Sequence, residues 1–490
     1  MASNSTLNQT PELPNFYLPF GGKLDVENRW IKLSSLMPWD LIEACYAESL
    51  ADGKIGAPAH SGRVAYGAQI IKEKLGITDR EVVEQVSENP YLQIFLGYTE
   101  FLKEPPFDAS MMVHFRNRFT AKHHQRINEE LIPSPEHDDE DPPSHSGKLL
   151  VDATCTPADI KYPTDLGLLN DARQKTEDII DLFHDKIVAR ALAQGLAAPK
   201  KPRTYRKRAR KGYLSISMAK SVGAKKRRAE IRKQLGYVRR NRGHISQMLE
   251  AHPDLLTLLD NATYKKLLVI GTVYEQQKEM HELRAKRVND RIVSLSQPHI
   301  RPIIRGKAGK KVEFGAKISL SHRPGGYVTL HRISWDAYNE SGDLIEQIEY
   351  YYARYGCYPE SVHADKIYLT KANRAYCKER GIRLSGKPLG RPKKETEANK
   401  AELEQERAQR RQDDLDRIPV EGKFGIAKRK GSLDRVMTKL SRTSESLIHV
   451  AIVVLNLDQK LRELLYALRS ILNRSYYSLK FSLRHLQPSL

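Results

Sequence analysis

Two short apolar segments, distant along the chain, each end in an aspartate. Residues 148–151 lead into Asp152, and residues 361–364 lead into Asp365. A short apolar run bounded by polar residues is typical of a buried β-strand. A carboxylate at the tip of such a strand is most often part of a turn or a helix cap, so either aspartate alone indicates little about function. The order of the elements around the two aspartates indicates more.

The pattern between and after these segments predicts a mixed sheet. The predicted elements are, in order, strands at 311–320 and 327–333 joined by a Pro-Gly-Gly turn, helices at 342–355 and 370–381, and a short strand at 382–385. With residues 155–310 set aside, this is the order of an α/β RNase H-like catalytic core with a mixed five-stranded sheet. In such a sheet the strands that end in Asp152 and Asp365 are neighbours, so the two carboxylates are predicted to lie together.

A third acid lies in a segment that holds Arg417, Glu421 and Lys428. Glu421 and Lys428 are seven positions apart, which is two helical turns, so at about 100° per residue they share one face of a helix. Pro419 fits best in the first turn of a helix, which predicts that Arg417 lies just outside that helix. An ordinary surface Glu-Lys pair is the alternative interpretation.

Three carboxylates at one point repel one another unless a cation lies between them. Hard divalent cations prefer oxygen ligands, and Mg²⁺ is the usual choice. Two such ions about 3.5–4 Å apart support in-line phosphoryl transfer by activating a water or a 3′-hydroxyl and stabilising the leaving oxygen. If the three acids converge, they therefore predict metal-dependent phosphoryl transfer.

The strongest charge feature is the stretch 200–242, which holds 18 Lys and Arg residues and one acid, Glu230. The whole chain of 490 residues carries a net charge of +21. This surplus indicates a polyanionic partner, for which nucleic acid is the first candidate and an anionic membrane surface the second. A solvated basic face is the alternative interpretation of the stretch. No membrane span is expected, because the longest apolar run, at 447–457, is too short.

The N-terminal region is predicted to be helical. Residues 62–76 have apolar side chains at helical spacing and a glycine stop, and Thr78 with Glu81 fits a capping box that starts a second helix. A third helix is predicted after residues 108–110. Two helices joined by a Gly-Ile-Thr turn are compatible with a helix-turn-helix that binds DNA, and equally with a plain helical bundle.

The third-acid segment resembles the signature of DDE transposases of bacterial insertion sequences, in the superfamily founded on insertion sequences four and five. That signature is Tyr, Arg, Glu and Lys separated by two, three and six residues. Arg417, Glu421 and Lys428 match it, and Asp414 stands at the Tyr position. Residues 151–154 with 162–173, and residues 363–368, resemble the first and second acid blocks of the same family.

The resemblance implies an RNase H-like core that uses two Mg²⁺ ions, with Mn²⁺ able to substitute. It implies double-stranded DNA at the transposon ends and at the target as partner, and a homodimer in a synaptic complex. Catalytic and metal-binding roles fall on Asp152, Asp365 and Glu421, while Asp159 and Asp165, near the first block, stay open as alternatives. The residues predicted to bind DNA are Arg417, Lys428, Lys366, Lys225, Lys226, Arg227 and Arg228.

The predicted domains are an all-α N-terminal DNA-binding domain at 1–132, a linker at 133–147, the catalytic core at 148–169 and 300–450, a basic helical insertion between the first two core strands at 170–299, and a C-terminal helical tail at 451–490. The predicted function is a DDE transposase that binds the terminal inverted repeats of its insertion sequence and catalyses Mg²⁺-dependent strand cleavage and strand transfer. A catalytically inactive DNA-binding repressor and an RNase H-like nuclease without strand joining are the alternatives. Scattered cysteines and the lack of a signal-peptide pattern predict a cytoplasmic, nucleoid-associated protein.

Overall fold

The computed structural model describes residues 23–50, 58–133, 143–304, 312–391, 394–396 and 399–485, with side chains to residue 470. The chain forms two compact units. The first comprises Met1–Pro157, Lys317–Ser334 and Tyr338–Leu490, and the second comprises Ala158–Ala316 and Trp335–Ala337.

The first unit begins with short helices. In the described ranges before the first strand these are α1 (Arg29–Leu36), α2 (Trp39–Ala47), α3 (Gly62–Leu75), α4 (Asp79–Glu88), α5 (Pro90–Phe95), α6 (Met111–Arg118) and α7 (Ala121–Leu131). The predicted capping box is confirmed, because the Thr78 hydroxyl accepts from the Glu81 N–H and the Glu81 carboxylate accepts from the Thr78 N–H. Most of α3 is buried, so this helix lies at the centre of the bundle.

A helix from the other end of the chain completes this bundle. The helix α15 (Ser441–His485) contributes Val450, Val453 and Leu457 to the same buried cluster as Trp39 and Phe95 of the N-terminal helices. The apolar run at 447–457 is therefore core-facing helix, and no helix in the described part of the chain is long and apolar enough to cross a membrane.

The sheet is mixed, as predicted, but the described residues form six strands in it where five were expected. The strands are β1 (Lys148–Pro157), β2 (Arg301–Ile304), β3 (Val312–His322), β4 (Val328–Ser334), β5 (Ser361–Ala364) and β6 (Arg383–Leu384), in the order β2-β3-β1-β5-β6, with β4 also paired to β3. The hairpin β3–β4 is antiparallel, and β1 pairs with β5 in parallel. The extra strand is β2, in the second unit. It contains Pro302, which breaks the alternating pattern and is tolerated because proline can occupy an edge strand.

The two faces of β1 and β5 have different coverings. Leu149 and Val151 share a buried cluster with Val362, and the cluster is completed by residues of α12 (Leu344–Tyr355) and α13 (Lys371–Glu379). Side chains alternate along a strand, so Asp152 points to the opposite face. That face is covered by α14 (Lys400–Arg429).

The prediction that a helix begins near Pro419 is wrong. The helix α14 starts at Lys400 and continues through the proline to Arg429. An internal proline removes one backbone hydrogen bond and disfavours a helix by about 3 kcal/mol relative to alanine. Side-chain contacts with the sheet on both sides of Pro419 offset this cost: Asp416 binds Lys148, and Lys428 binds Thr154. As a result, Arg417 lies inside the helix.

The second unit is built mainly from four long helices in the described segments: α8 (Asp165–Ala193), α9 (Arg206–Ser217), α10 (Ala224–Ala251) and α11 (Asn261–Glu282). The basic stretch 200–242 lies largely on α9 and α10. Few of its side chains are buried, but Leu235 and Val238 of α10 pack with Leu169 of α8 and Ile270 of α11. These apolar positions at helical spacing are sufficient to order a stretch that is otherwise basic.

Candidate active site

The parallel pairing of β1 and β5 brings two of the predicted acids together. Val151 is paired with Ala364, so Asp152 and Asp365 are the next residues of two adjacent strands that run in the same direction. Asp152 is partly buried and accepts a hydrogen bond of 2.8 Å from the N–H of Ala153. Asp365 is 58% exposed, at the start of a short 3₁₀ turn.

Helix α14 places Arg417 and Glu421 over the same end of the sheet. The Arg417 Nη2 atom lies 3.1 Å from the Asp365 Oδ1 atom. Glu421 is exposed one helical turn beyond Arg417, on the same face of α14. Because the helix continues through Pro419, Arg417 lies inside α14, whereas the sequence pattern predicted a position just outside the helix.

The pKa of Asp152 reflects its burial and the charges of the other two acids. Burial, together with the negative charges of Asp365 and Glu421, raises the pKa of Asp152 to about 6, although the Ala153 N–H and Arg417 act in the opposite direction. Asp365 and Glu421 are therefore close enough to Asp152 to disfavour its charged form. A donor set of oxygens with unrelieved negative charge fits a hard divalent cation such as Mg²⁺.

A second cluster lies next to these acids, and the sequence pattern gave no indication of it. Among the described residues, the set of three His and carboxylate side chains whose ligand atoms all lie within 4.8 Å of one another is His363, Asp413 and Asp416. Asp152, Asp365 and Glu421 do not meet that spacing. The Arg383 Nη1 atom lies 2.8 and 2.9 Å from the two Asp413 oxygens, and the Lys148 Nζ atom lies 2.6 Å from Asp416. The two carboxylates of this cluster are therefore already neutralised by cationic side chains.

The two lysines predicted near the acids differ in their surroundings. Lys366 follows Asp365 directly and is exposed. The Nζ atom of Lys428 donates to the Thr154 hydroxyl at 3.0 Å and to the Cys155 carbonyl at 2.8 Å. Lys428 thus ties α14 to β1, two to three residues beyond Asp152.

The predicted DNA-binding residues of the second unit also differ from one another. Lys225, Lys226 and Arg227 are exposed in the first turn of α10. Arg228 is partly buried, and its Nη2 atom donates a hydrogen bond of 2.6 Å to the His281 carbonyl. The first three side chains are accessible to a polyanion, whereas Arg228 holds α10 to the end of α11.

The two acids left open near the first block lie in the second unit. Asp165, in the first turn of α8, accepts hydrogen bonds of 2.6 Å from Arg291 and 3.1 Å from Gln277. The backbone carbonyl of Asp159 accepts from the Gln297 side chain at 3.1 Å. Asp165 therefore has a structural role that accounts for its charge.

Comparison with known proteins finds two matches to transposase families. A family model described as a transposase DDE domain matches residues 362–458, a range that contains Asp365, Arg417 and Glu421. A second family model, described as a transposase domain, matches residues 19–118, a range that contains α1 to α6. In these two ranges the chain is similar to transposases. The second unit, from Ala158 to Ala316, lies outside both matches.

The chain is also similar to a curated protein of Rhizobium meliloti named "Uncharacterized protein ORF8 in nfe locus". The two are 29% identical over 144 residues, which are 29% of this chain and 69% of the relative. No solved structure matches the chain. The narrower likeness to the superfamily of insertion sequences four and five stays a prediction.

Proposed function

We propose that this protein is a DDE transposase that binds double-stranded DNA at the ends of its insertion sequence and carries out Mg²⁺-dependent strand cleavage and strand transfer at Asp152, Asp365 and Glu421. The observation that carries the proposal is the parallel pairing of β1 and β5, which places Asp152 and Asp365 at adjacent strand ends where Arg417 of α14 contacts Asp365. The raised pKa of Asp152 supports it, because perturbed titratable groups are concentrated at functional sites. The transposase DDE match over residues 362–458 supports the assignment.

We assign a separate role to each residue of this site. Asp152, Asp365 and Glu421 would hold Mg²⁺, for which Mn²⁺ can substitute, and the bound metal supplies charge neutralisation for phosphoryl transfer. Arg417 orients Asp365 through their ion pair, and we assign to its side chain, which is 22% exposed, a contact with a DNA phosphate. Lys366 offers an exposed ammonium group beside the same carboxylate.

We further propose that the second unit supplies much of the DNA affinity. Lys207, Arg210 and Lys211 are exposed along α9, and Lys225, Lys226 and Arg227 are exposed at the start of α10. Cationic side chains of this kind release counterions from duplex DNA when they contact phosphates. A homodimer that joins two transposon ends is the assembly we expect for the reaction.

The deciding experiment is the substitution Asp365→Asn. The variant should bind end DNA nearly as well as wild type, since the change removes one charge from the acid set and none from the basic surfaces. It should lose cleavage and strand transfer, because the amide cannot replace the carboxylate as a metal ligand. Asp414→Asn, on an exposed position of the same helix α14, is the matched control and should retain activity.

The alternatives predict other outcomes in the same assay. A DNA-binding repressor would bind the ends and cleave nothing, in wild type as in the variant. A nuclease without strand joining would cleave but leave no joined product. If Asp365→Asn cleaves as fast as wild type, the proposed site is wrong.

A further inference from the structure

Three strands align polar side chains on the face of the sheet that α14 covers. In the sheet register, Lys148 of β1 is paired with Ser361 of β5, and Ser361 is paired with Arg383 of β6. His363 lies two residues further along β5 and therefore on the same face. This face of the sheet thus presents Lys148 and Arg383 on either side of Ser361, with the buried His363 two residues further along β5.

Helix α14 meets this row with two aspartates. Asp416 binds Lys148, Asp413 binds Arg383, and the two aspartates are one helical turn apart. The His363 side chain is fully buried between them, with Nδ1 at 3.8 Å from Asp413 and Nε2 at 3.9 Å from Asp416. We call these five residues the α14 anchor.

The α14 anchor is a closed set of charges. Two carboxylates face two cations, and the His363 Nε2 atom is 2.9 Å from the Ser361 hydroxyl. Asp413 is only 7% exposed, so loss of its partner would leave an uncompensated buried charge. Such a cluster holds two elements in one register more strictly than apolar packing does.

The α14 anchor lies directly before the candidate active site on the same helix. Asp416 and Glu421 are separated by five residues, or about 7.5 Å of helix. Asp152 is four residues beyond Lys148, or about 13 Å of strand. Further on, Lys428 binds Thr154 and Cys155 of β1. Helix α14 therefore runs along β1 and is fixed to it on both sides of Glu421.

Pro419 makes this fixation necessary. It lies between Asp416 and Glu421, has no N–H to donate to the carbonyl of residue 415, and weakens the helix there. The backbone alone therefore does not set the direction of the segment that carries Glu421. The contacts of α14 with the sheet set it.

We propose that the α14 anchor is a positioning device that sets Glu421 and Arg417 relative to Asp152 and Asp365, and so determines how tightly the site holds a divalent cation. The inference rests on the proposed function, because it assumes that the three acids bind the metal. The anchor residues touch neither metal nor DNA in this scheme and act through Glu421 and Arg417.

The test measures Mn²⁺ affinity of the full chain directly, from the free-ion signal in electron paramagnetic resonance, without DNA. Asp416→Asn should weaken Mn²⁺ binding about tenfold or more, the usual effect of losing an outer-shell partner of a metal site. The double variant Lys148→Asp with Asp416→Lys restores the ion pair and should recover most of the affinity. Glu406→Gln, which breaks the partly exposed pair with Arg410 on the same helix, is the matched control and should change nothing.

Each result bears on one claim. Unchanged Mn²⁺ affinity in Asp416→Asn overturns the positioning proposal, and so does a charge-swapped variant as weak as the single one. If Asp416→Asn does not fold, Lys148→Met removes the same pair from its half-exposed side and should show the same weakening. Mn²⁺ binding that survives Asp365→Asn but is lost in the charge swap would place the ion on His363, Asp413 and Asp416, and would overturn the proposed function of the acids instead.

Discussion

Arg417 and Asp365 form an ion pair of 3.1 Å between helix α14 and the end of strand β5. The pair joins Arg417, a residue of the predicted signature, to Asp365, which directly follows β5. The two residues are 52 positions apart along the chain. Arg417 also lowers the pKa of Asp152, opposing the effects of Asp365 and Glu421. One guanidinium group thus balances part of the negative charge of the candidate site before any cation binds.

Replacement of Arg417 should slow DNA cleavage without weakening metal binding. In Arg417→Gln we expect Mn²⁺ to bind at least as tightly as in wild type, because a positive charge next to the acids is removed. Cleavage of end DNA should fall about 10–100-fold, the equivalent of a charge-assisted hydrogen bond of about 1.5–3 kcal/mol. Parallel measurement of Mn²⁺ affinity and single-turnover cleavage checks both expectations.

The control for this variant is Arg410→Gln, two turns earlier on α14, where the partner is the partly exposed Glu406. It should affect neither quantity. If Arg417→Gln loses Mn²⁺ affinity and cleavage to the same extent, Arg417 acts only by orienting Asp365, and its assigned contact with phosphate is wrong.

Asp152→Asn should stabilise the metal-free protein at neutral pH. The pKa of Asp152 is raised from 3.8 to about 6, so the native state binds more protons than the unfolded state between these values. The wild type therefore loses stability as pH rises through that range, by about 1–3 kcal/mol from this group, and the asparagine variant does not. Urea unfolding in chelator at pH 4 to 7.5 measures the difference.

Added Mg²⁺ should then make the wild type more stable than Asp152→Asn. Binding to the native acids stabilises the wild type by mass action and has less effect on Asp152→Asn. If the stability of the two proteins follows the same pH dependence in chelator, Asp152 does not have the burial and charged neighbours described above.

The sequence order was sufficient to predict that Asp152 and Asp365 are neighbours, because strand patterns are local and crossover rules leave few arrangements. The position of Arg417 was predicted wrongly, because intrinsic propensity places Pro419 at a helix start whereas the contacts of α14 with the sheet override it. For the same reason the role of Asp413 and Asp416 could not be predicted from the sequence. These two residues share a helix with Arg417 only because α14 begins at Lys400. Which surface the apolar part of α15 covers could not be predicted, since its contacts lie at the other end of the chain.

Lys423 should make the stability of the protein depend on pH in the alkaline range as well. Burial, helped by the charge of Arg462, lowers its pKa from 10.5 to about 8, although its Nζ atom donates to Gln459 at 3.0 Å. Between these values the unfolded state binds more protons, so stability should rise as pH increases from about 8 to 10, by roughly 1–3 kcal/mol. Lys423→Met should be more stable than wild type at pH 7 and lack the rise.

Unfolding by urea at pH 7, 8, 9 and 10 tests this expectation, with Lys430→Met, at an exposed position just after α14, as the control. The control should keep the wild-type pH profile. A Lys423→Met protein that gains stability between pH 8 and 10 as wild type does would show that another group is responsible.

The basic start of α10 should contribute to DNA affinity through three side chains. Replacing Lys225, Lys226 and Arg227 by glutamine should weaken end binding and reduce the slope of log affinity against log salt by about 0.9 for each lost phosphate contact. Arg228→Gln is the internal comparison, because its guanidinium group is bonded to the His281 carbonyl. It should lower the melting temperature and change the salt slope least. A salt slope that is unchanged in the triple variant would leave this end of α10 as a solvated face, and a large change in Arg228→Gln alone would mean that the bond to His281 opens when DNA binds.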